Sequence, residues 1–467
     1  MLRPKEIEIP EKAPFQNCKL GREKYAKILT DIVGYYANEG CVLALNAKWG
    51  AGKTTFVKMW QQQLKNEGFN TLYFNAWECD YMTDPLIALV TELEELKGNP
   101  KDFQEIASNI GRIILAVGAS AGKQFVKNKL GIDSEVLDSA VHKISDLGEE
   151  ALKEYKSQQG SLKQFRELLV NYVVSASSKT PIIFFIDELD RCNPAFAVRL
   201  LERVKHLFSI PNVVFVLSIN GEQLELAIQG YYGSSLFNAK EYLRRFIDIE
   251  YNLPEPDLSS FCQYLYHQYG FDDFFKNEER NASRELQYES DSFLRIVKTI
   301  ASPEQVSLRD IEQMFIFVRL ALNGFAPSSK SIPDILFLLV YLKFTNNDLY
   351  HTIVSHKLSC KDLLDEIEKH VPRSRTLEEQ ETNPRSFTFV IAHLIFLYNL
   401  KENEDYTQNL FEKQANSTEK ISIFHPNQFQ KEVFDEALNS YGSDFNNRIP
   451  LSYFVNRIEL MSQLTKY

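Results

Sequence analysis

Backbone amides can curl around a single anion only where glycine removes the side chain, and one stretch of this sequence is built that way: Ala47-Lys48-Trp49-Gly50-Ala51-Gly52-Lys53-Thr54. Ahead of it, Val42–Asn46 is an apolar run that reads as a buried strand. Behind it, Phe56, Met59, Trp60 and Leu64 recur at helical spacing. Strand, glycine loop and helix together aim consecutive N–H groups and a helix N-terminus at one phosphate chain. In such a P-loop the segment Trp49, Gly50, Ala51, Gly52, Lys53, Thr54 and Thr55 forms the nucleotide contact. Lys53 reaches the β- and γ-phosphates, and the Thr54 hydroxyl takes a place on Mg²⁺. Ala47 stands where a first glycine is usual, and Gly50 supplies the flexibility instead. The plain alternative, a glycine turn before a helix, is disfavoured by the strand in front and the helix behind.

A phosphate loop of this type needs a metal-binding carboxylate at the end of a neighbouring strand. Ile182–Ile186 is apolar throughout, as a central parallel strand is, and stops at Asp187-Glu188. Asp187 is placed to hold a Mg²⁺-bound water, and Glu188 to polarise the attacking water as general base. Alternatively, the two acids merely cap the turn completed by Asn193 and Pro194. Asp190 and Arg191 extend the charged cluster, with Asp190 either a second acid or only the partner of Arg191.

Further strands read as Thr71–Phe74, Val213–Ile219 and Phe246–Tyr251, the last ended by Pro254. Asn193 and Pro194 open a helix with Ala197, Leu200, Leu201, Val204, Leu207 and Phe208 on one face. Strands alternating with helices predict a parallel α/β sheet. About 95–176 reads as a helical insertion in this core. Beyond Pro256 the strand pattern fades, and Leu258–Tyr269, Leu308–Asn323, Pro333–Phe344 and Tyr453–Leu464 read as helices. The expected division is a core over 1–254, a helical lid over 255–330 and an all-α domain over 331–467. Arg373–Arg385 is a polar loop or linker, and the aromatic positions Phe337, Tyr341, Phe344 and Tyr350 are expected in a core.

Composition narrows the partners. A net charge of −11 disfavours generic attraction to nucleic acid or anionic lipid. Six scattered cysteines without a CxxC pair fit neither a disulfide framework nor a zinc ribbon. The apolar runs Ile113–Gly122 and Ile335–Leu342 fall short of the roughly 18–20 residues of a bilayer span. A cytoplasmic protein without a membrane span is the expectation.

Four blocks in order make the sequence resemble the KAP family of P-loop NTPases over about Asn17 to Asn323. They are Trp49-Gly50-Ala51-Gly52-Lys53-Thr54; Phe74-Asn75-Ala76-Trp77 with Asp84-Pro85-Leu86; Asp187-Glu188-Leu189-Asp190-Arg191-Cys192; and Tyr242-Leu243-Arg244-Arg245-Phe246. The resemblance implies an α/β three-layer core, parallel sheet order 5-1-4-3-2 and an insertion between the two Walker motifs. It implies ATP and Mg²⁺ as ligands, with hydrolysis used as a regulatory or assembly switch. Bacterial relatives are linked to exclusion of phages and plasmids beside a partner effector, and homo-oligomers are expected. By the same resemblance Asn220 falls where related folds sense the γ-phosphate, Arg245 where an arginine finger acts across a subunit interface, and Arg309 at a lid arginine. The alternatives are a strand-ending turn at Asn220-Gly221 and solvated surface charges at the two arginines. Rival functions are a nucleotide-gated scaffold without turnover, a DNA-remodelling ATPase and, less favoured, a small-molecule phosphotransferase.

Overall fold

The computed structural model of the protein describes residues 7–82, 85–96, 101, 103–106, 167–172, 180–205, 210–256, 258–301, 306–371, 384–400, 410–413, 420–443 and 449–464. They fall into two units, Ile7–Pro254 and Glu255–Tyr467.

In the first unit the strands β1 (Cys41–Asn46), β2 (Asn70–Asn75), β3 (Ile182–Asp187), β4 (Val213–Ile219) and β5 (Ile249–Asn252) form one sheet in the order β2-β3-β4-β1-β5. Every pairing is parallel. This is the order 5-1-4-3-2 read from the other edge. β1, β3 and β4 are apolar at nearly every successive position, so both faces demand cover. Leu43, Leu45, Ile183, Phe185, Val214 and Val216 face α1 (Glu23–Tyr36) and α2 (Lys53–Asn66). The alternate residues Val42, Ala44, Phe184, Ile186, Phe215 and Leu217 pack under α3 (Pro85–Leu93) and the helices Pro194–Lys205 and Gly221–Tyr232. The result is a three-layer α/β core.

Trp60 joins three elements on the first face. It is fully buried, stacks on Phe56 with centroids 6.1 Å apart and meets Phe185 edge-on at 5.2 Å. Its indole N–H donates to the Thr30 hydroxyl of α1 at 3.0 Å. Burying the large ring drives the packing, and the hydrogen bond removes the cost of its polar edge.

Among the departures from the sequence reading, two concern the strands. The last strand begins at Ile249, not Phe246. Phe246 instead closes a turn, its N–H on the Leu243 carbonyl, and its ring packs 5.0 Å from Tyr242. Asp248 then starts the pairing, donating its N–H to Val42 while its carboxylate accepts the Val42 N–H. In the second unit, expected to be all-helical, Phe411–Lys413 and Lys420–Ser422 form a two-stranded antiparallel ladder. Leu410 and Phe424 flank it, both fully buried.

Otherwise the second unit is helical, including Leu258–Gln268, Leu308–Leu322, Pro333–Thr345 and Leu451–Leu464. Phe337, Tyr341 and Tyr350 are buried, while Phe344 lies at the rim. A buried Arg280–Glu289 ion pair organises the chain around 327–332. Arg280 donates to the carbonyls of Pro327 and Ser329, and Glu289 accepts from Ser331 N at 2.9 Å and Oγ at 2.7 Å. No helix among the described residues is long and apolar enough to cross a membrane. Ile335–Leu342 lies inside the buried helix Pro333–Thr345. The described residues of the 95–176 insertion beyond 96 are helical. The rest of it, with Ile113–Gly122, lies outside the described residues, as do Asp84, Leu207, Phe208 and positions 373–383 of the polar stretch.

Trp60→Ala is expected to lower the stability of the first unit by about 3–5 kcal/mol, seen as an earlier urea midpoint.

Candidate functional site

Register aligns the carboxyl ends of the strands. Asn75, Asp187, Ser218 and Leu45 stand in one row across β2, β3, β4 and β1, with Ile219 and Asn46 in the next. The segments leaving β1, β3 and β4 therefore emerge on one edge, where open α/β sheets bind ligands. β4 lies between β1 and β3, so the glycine loop and the acidic turn are one strand further apart than neighbouring strands would place them.

From β1 the chain passes through Gly50 at φ 74° and Gly52 at φ 80° into α2. Gly52 is the N-cap, and no side chain caps the helix. The first-turn N–H groups are thus left for an incoming acceptor. Lys53 is buried, and its Nζ donates to the carbonyls of Ala47 at 2.6 Å and Lys48 at 3.2 Å. That spans the loop and uses two of its three donors. Burial lowers the Lys53 pKa, against the pull first of Asp190 and then of Asp187. Thr54 and Thr55 follow in the first turn, half-buried.

Across the edge, Asp187 is 1% exposed. Its Oδ2 accepts the Tyr73 hydroxyl at 3.0 Å, and its Oδ1 accepts the Glu188 N–H at 2.9 Å. Each oxygen keeps a lone pair for a cation. The Tyr73 phenol is itself held neutral, by burial first and then by the Asp187 charge. Glu188 adopts φ 61°, a left-handed conformation that disfavours side chains and turns the chain into the short helix Leu189–Arg191. Its carboxylate pairs with Arg191 at 2.8 Å. Burial raises the Glu188 pKa, and Arg191 opposes the shift. Arg191 also lies 5.8 Å over the half-exposed Trp77 ring. Asp190 is not the partner of Arg191: it is buried and accepts the indole N–H of Trp49. Sequence adjacency misled here, because the tight turn sends Arg191 back to Glu188 and Asp190 toward the loop.

Asn220 ends β4, buried, and its Oδ1 caps the next helix through Gln223 N at 3.4 Å. The strand-ending turn thus accounts for its oxygen, and its Nδ2 remains as a donor. Arg245 is exposed in the turn before β5, close to where Asp248 pairs with Val42 at the start of β1. Val42 and the last β1 residue are roughly 13 Å apart at strand rise, so Arg245 sits at the opposite edge, outside the cluster. Arg309 is exposed in the first turn of Leu308–Leu322, in the second unit.

Arg22 escaped the sequence reading. It is 2% exposed and donates Nη1 to the carbonyls of Ala51 at 2.7 Å and Gly52 at 3.4 Å. These bonds tie the loop to the start of α1. Burial lowers its pKa to about 10. The only signal was an arginine after Gly21, at the start of the helix before β1.

The chain was compared with known proteins. The sequence model described as the KAP family P-loop domain matches residues 22–400. No curated protein matches. Among solved structures, the Aeropyrum pernix ORC2 protein in ADPNP-ADP complexes aligns at TM-score 0.33 and 11% identity, covering 95% of each chain. A DNA replication initiation factor aligns at 0.32 and 10%, covering 98% of each. Drosophila ORC bound to DNA aligns at 0.28 and 13%, covering 97% of this chain and 88% of that one.

Arg22→Ala is expected to speed amide hydrogen exchange at Gly50–Thr54 by about tenfold, with the β3 and β4 amides unchanged.

Proposed function

This chain belongs to the KAP family of P-loop domains, and on that premise we propose that it binds ATP with Mg²⁺ and hydrolyses it, using turnover as a regulatory or assembly switch. The observation that carries the reading is geometric: parallel register brings the ends of β1, β4 and β3 to one edge, with buried Lys53 on the glycine loop and buried Asp187 and Asp190 on the acidic turn. A cation on the glycine loop and a cluster of acids on the next-but-one strand suit a triphosphate and a divalent ion.

The residues fit these ligands. N–H groups of the glycine loop and of the first turn of α2, which no side chain caps, receive phosphate oxygens, and Lys53 exchanges loop carbonyls for the β- and γ-phosphates. Thr54 and Asp187 would hold Mg²⁺, with Tyr73 fixing the Asp187 rotamer. Bound Mg²⁺ neutralises charge on the phosphate oxygens. Glu188 takes the proton of the attacking water, and its upward-shifted pKa makes it a better base than an exposed glutamate. Asn220 Nδ2 donates to the terminal phosphate. Arg245, remote from its own subunit's site, acts on a neighbouring copy, which requires an oligomer. Arg309 serves as the lid arginine.

A second reading, a nucleotide-gated scaffold without turnover, is favoured by the Glu188–Arg191 ion pair, which occupies the base. The biological setting we propose is defence against phage or plasmids beside a partner effector, and it rests on the family resemblance alone. Loss of protection in plaque assays on introducing Lys53→Ala tests it; equal plaque counts with the unaltered gene discard it.

Phosphate release from ATP and Mg²⁺ decides between enzyme and scaffold. Glu188→Gln is expected to keep ATP binding and lose about 100-fold or more in turnover, and Lys53→Ala to lose both. Turnover indistinguishable among the three proteins favours the scaffold. Tyr73→Phe is expected to raise the Mg²⁺ concentration needed for half-maximal ATP affinity by about threefold, leaving metal-free ATP affinity unchanged in calorimetry.

A further inference from the structure

The indole of Trp49 joins two segments that the sheet keeps apart. β1 and β3 do not pair, since β4 lies between them, so no ladder hydrogen bond links the glycine loop to the acidic turn. The bridge is made by side chains: Trp49 Nε1–H donates to Asp190 Oδ2. The two ends differ in burial. Trp49 is 46% exposed, whereas Asp190 is 7% exposed. A carboxylate drawn out of water needs a donor, and this one has the indole N–H and the field of the Lys53 ammonium. On the same short turn, Arg191 ties back to Glu188.

We propose that Trp49 and Asp190 are positioning residues: their hydrogen bond fixes the glycine loop against the acidic turn, so that the phosphate-binding and water-activating halves of the site move as one body. Asp190 sets where Trp49 lies, Trp49 sets the course of the loop through Gly50, and the loop sets the direction of the amides that meet phosphate. A phenylalanine at position 49 keeps the ring and removes the N–H, isolating the bond from the packing.

The inference rests on the reading of this loop as a phosphate cradle, and the test separates the two. ATP affinity is measured by calorimetry in EDTA, without metal or turnover, for the unaltered chain, Trp49→Phe, Asp190→Ala and the double variant. Melting of the ligand-free proteins verifies folding, and Asp190→Leu replaces Asp190→Ala if the latter melts below the assay temperature. Each single variant is expected to weaken ATP by about tenfold, and the double variant by no more than the larger single loss. Losses that multiply to about a hundredfold in the double variant, or a Trp49→Phe affinity equal to that of the unaltered chain, overturn the tether while leaving the cradle standing. An unaltered chain that binds no ATP overturns the cradle and the tether with it.

Discussion

Everything at the candidate site depends on a left-handed turn of the chain at Gly50 and Gly52. Backbone amides in β1 point sideways into its neighbours, and those in α2 point along the helix axis. Only a segment that reverses its handedness between them can turn several N–H groups toward one point. The two glycines make that reversal affordable, and two cations hold it in shape. Arg22 binds the carbonyls of Ala51 and Gly52, while Lys53 binds those of Ala47 and Lys48. The Arg22 bonds can persist when an anion enters, which lessens the reorganisation needed on binding, whereas Lys53 must give up its carbonyls to reach phosphate.

The acidic side of the edge is built on a different principle. There the register of β2, β3 and β4 puts Asn75, Asp187 and Ser218 in line, and burial rather than exposure governs each charge. Asp187 is kept in place by Tyr73, Asp190 by Trp49 and Glu188 by Arg191. Each carboxylate has its own neutral or cationic donor from a different position. Three neighbouring acids can therefore coexist on one turn without repelling it open.

Much of this was legible in the sequence, for reasons that can be named. β1 and β3 are apolar on both faces, so their runs are unbroken and each ends on its first polar residue, while in β4 only Ser218 interrupts the run. The glycine loop and Asp187-Glu188 are local patterns, complete within a few positions. What escaped depends on tertiary contact. Arg22 meets Ala51 across 29 residues and Trp49 meets Asp190 across 141, distances over which spacing carries no signal. The start of β5 was drawn too early because Phe246 and Ile247 are apolar, as strand residues are, although Phe246 packs into an aromatic cluster instead. Arg245 shared a motif with that strand, and only the direction of β5 reveals that it stands at the opposite edge from the loop.

The backbone of Glu188 has one more implication. A residue with a β-carbon held at φ 61° stores on the order of 1 kcal/mol that glycine or asparagine would largely release. At this position the substitutions most welcome to the fold are those that delete the carboxylate. On the proposed role of Glu188 as base, what eases the backbone and what the chemistry requires therefore conflict at a single residue.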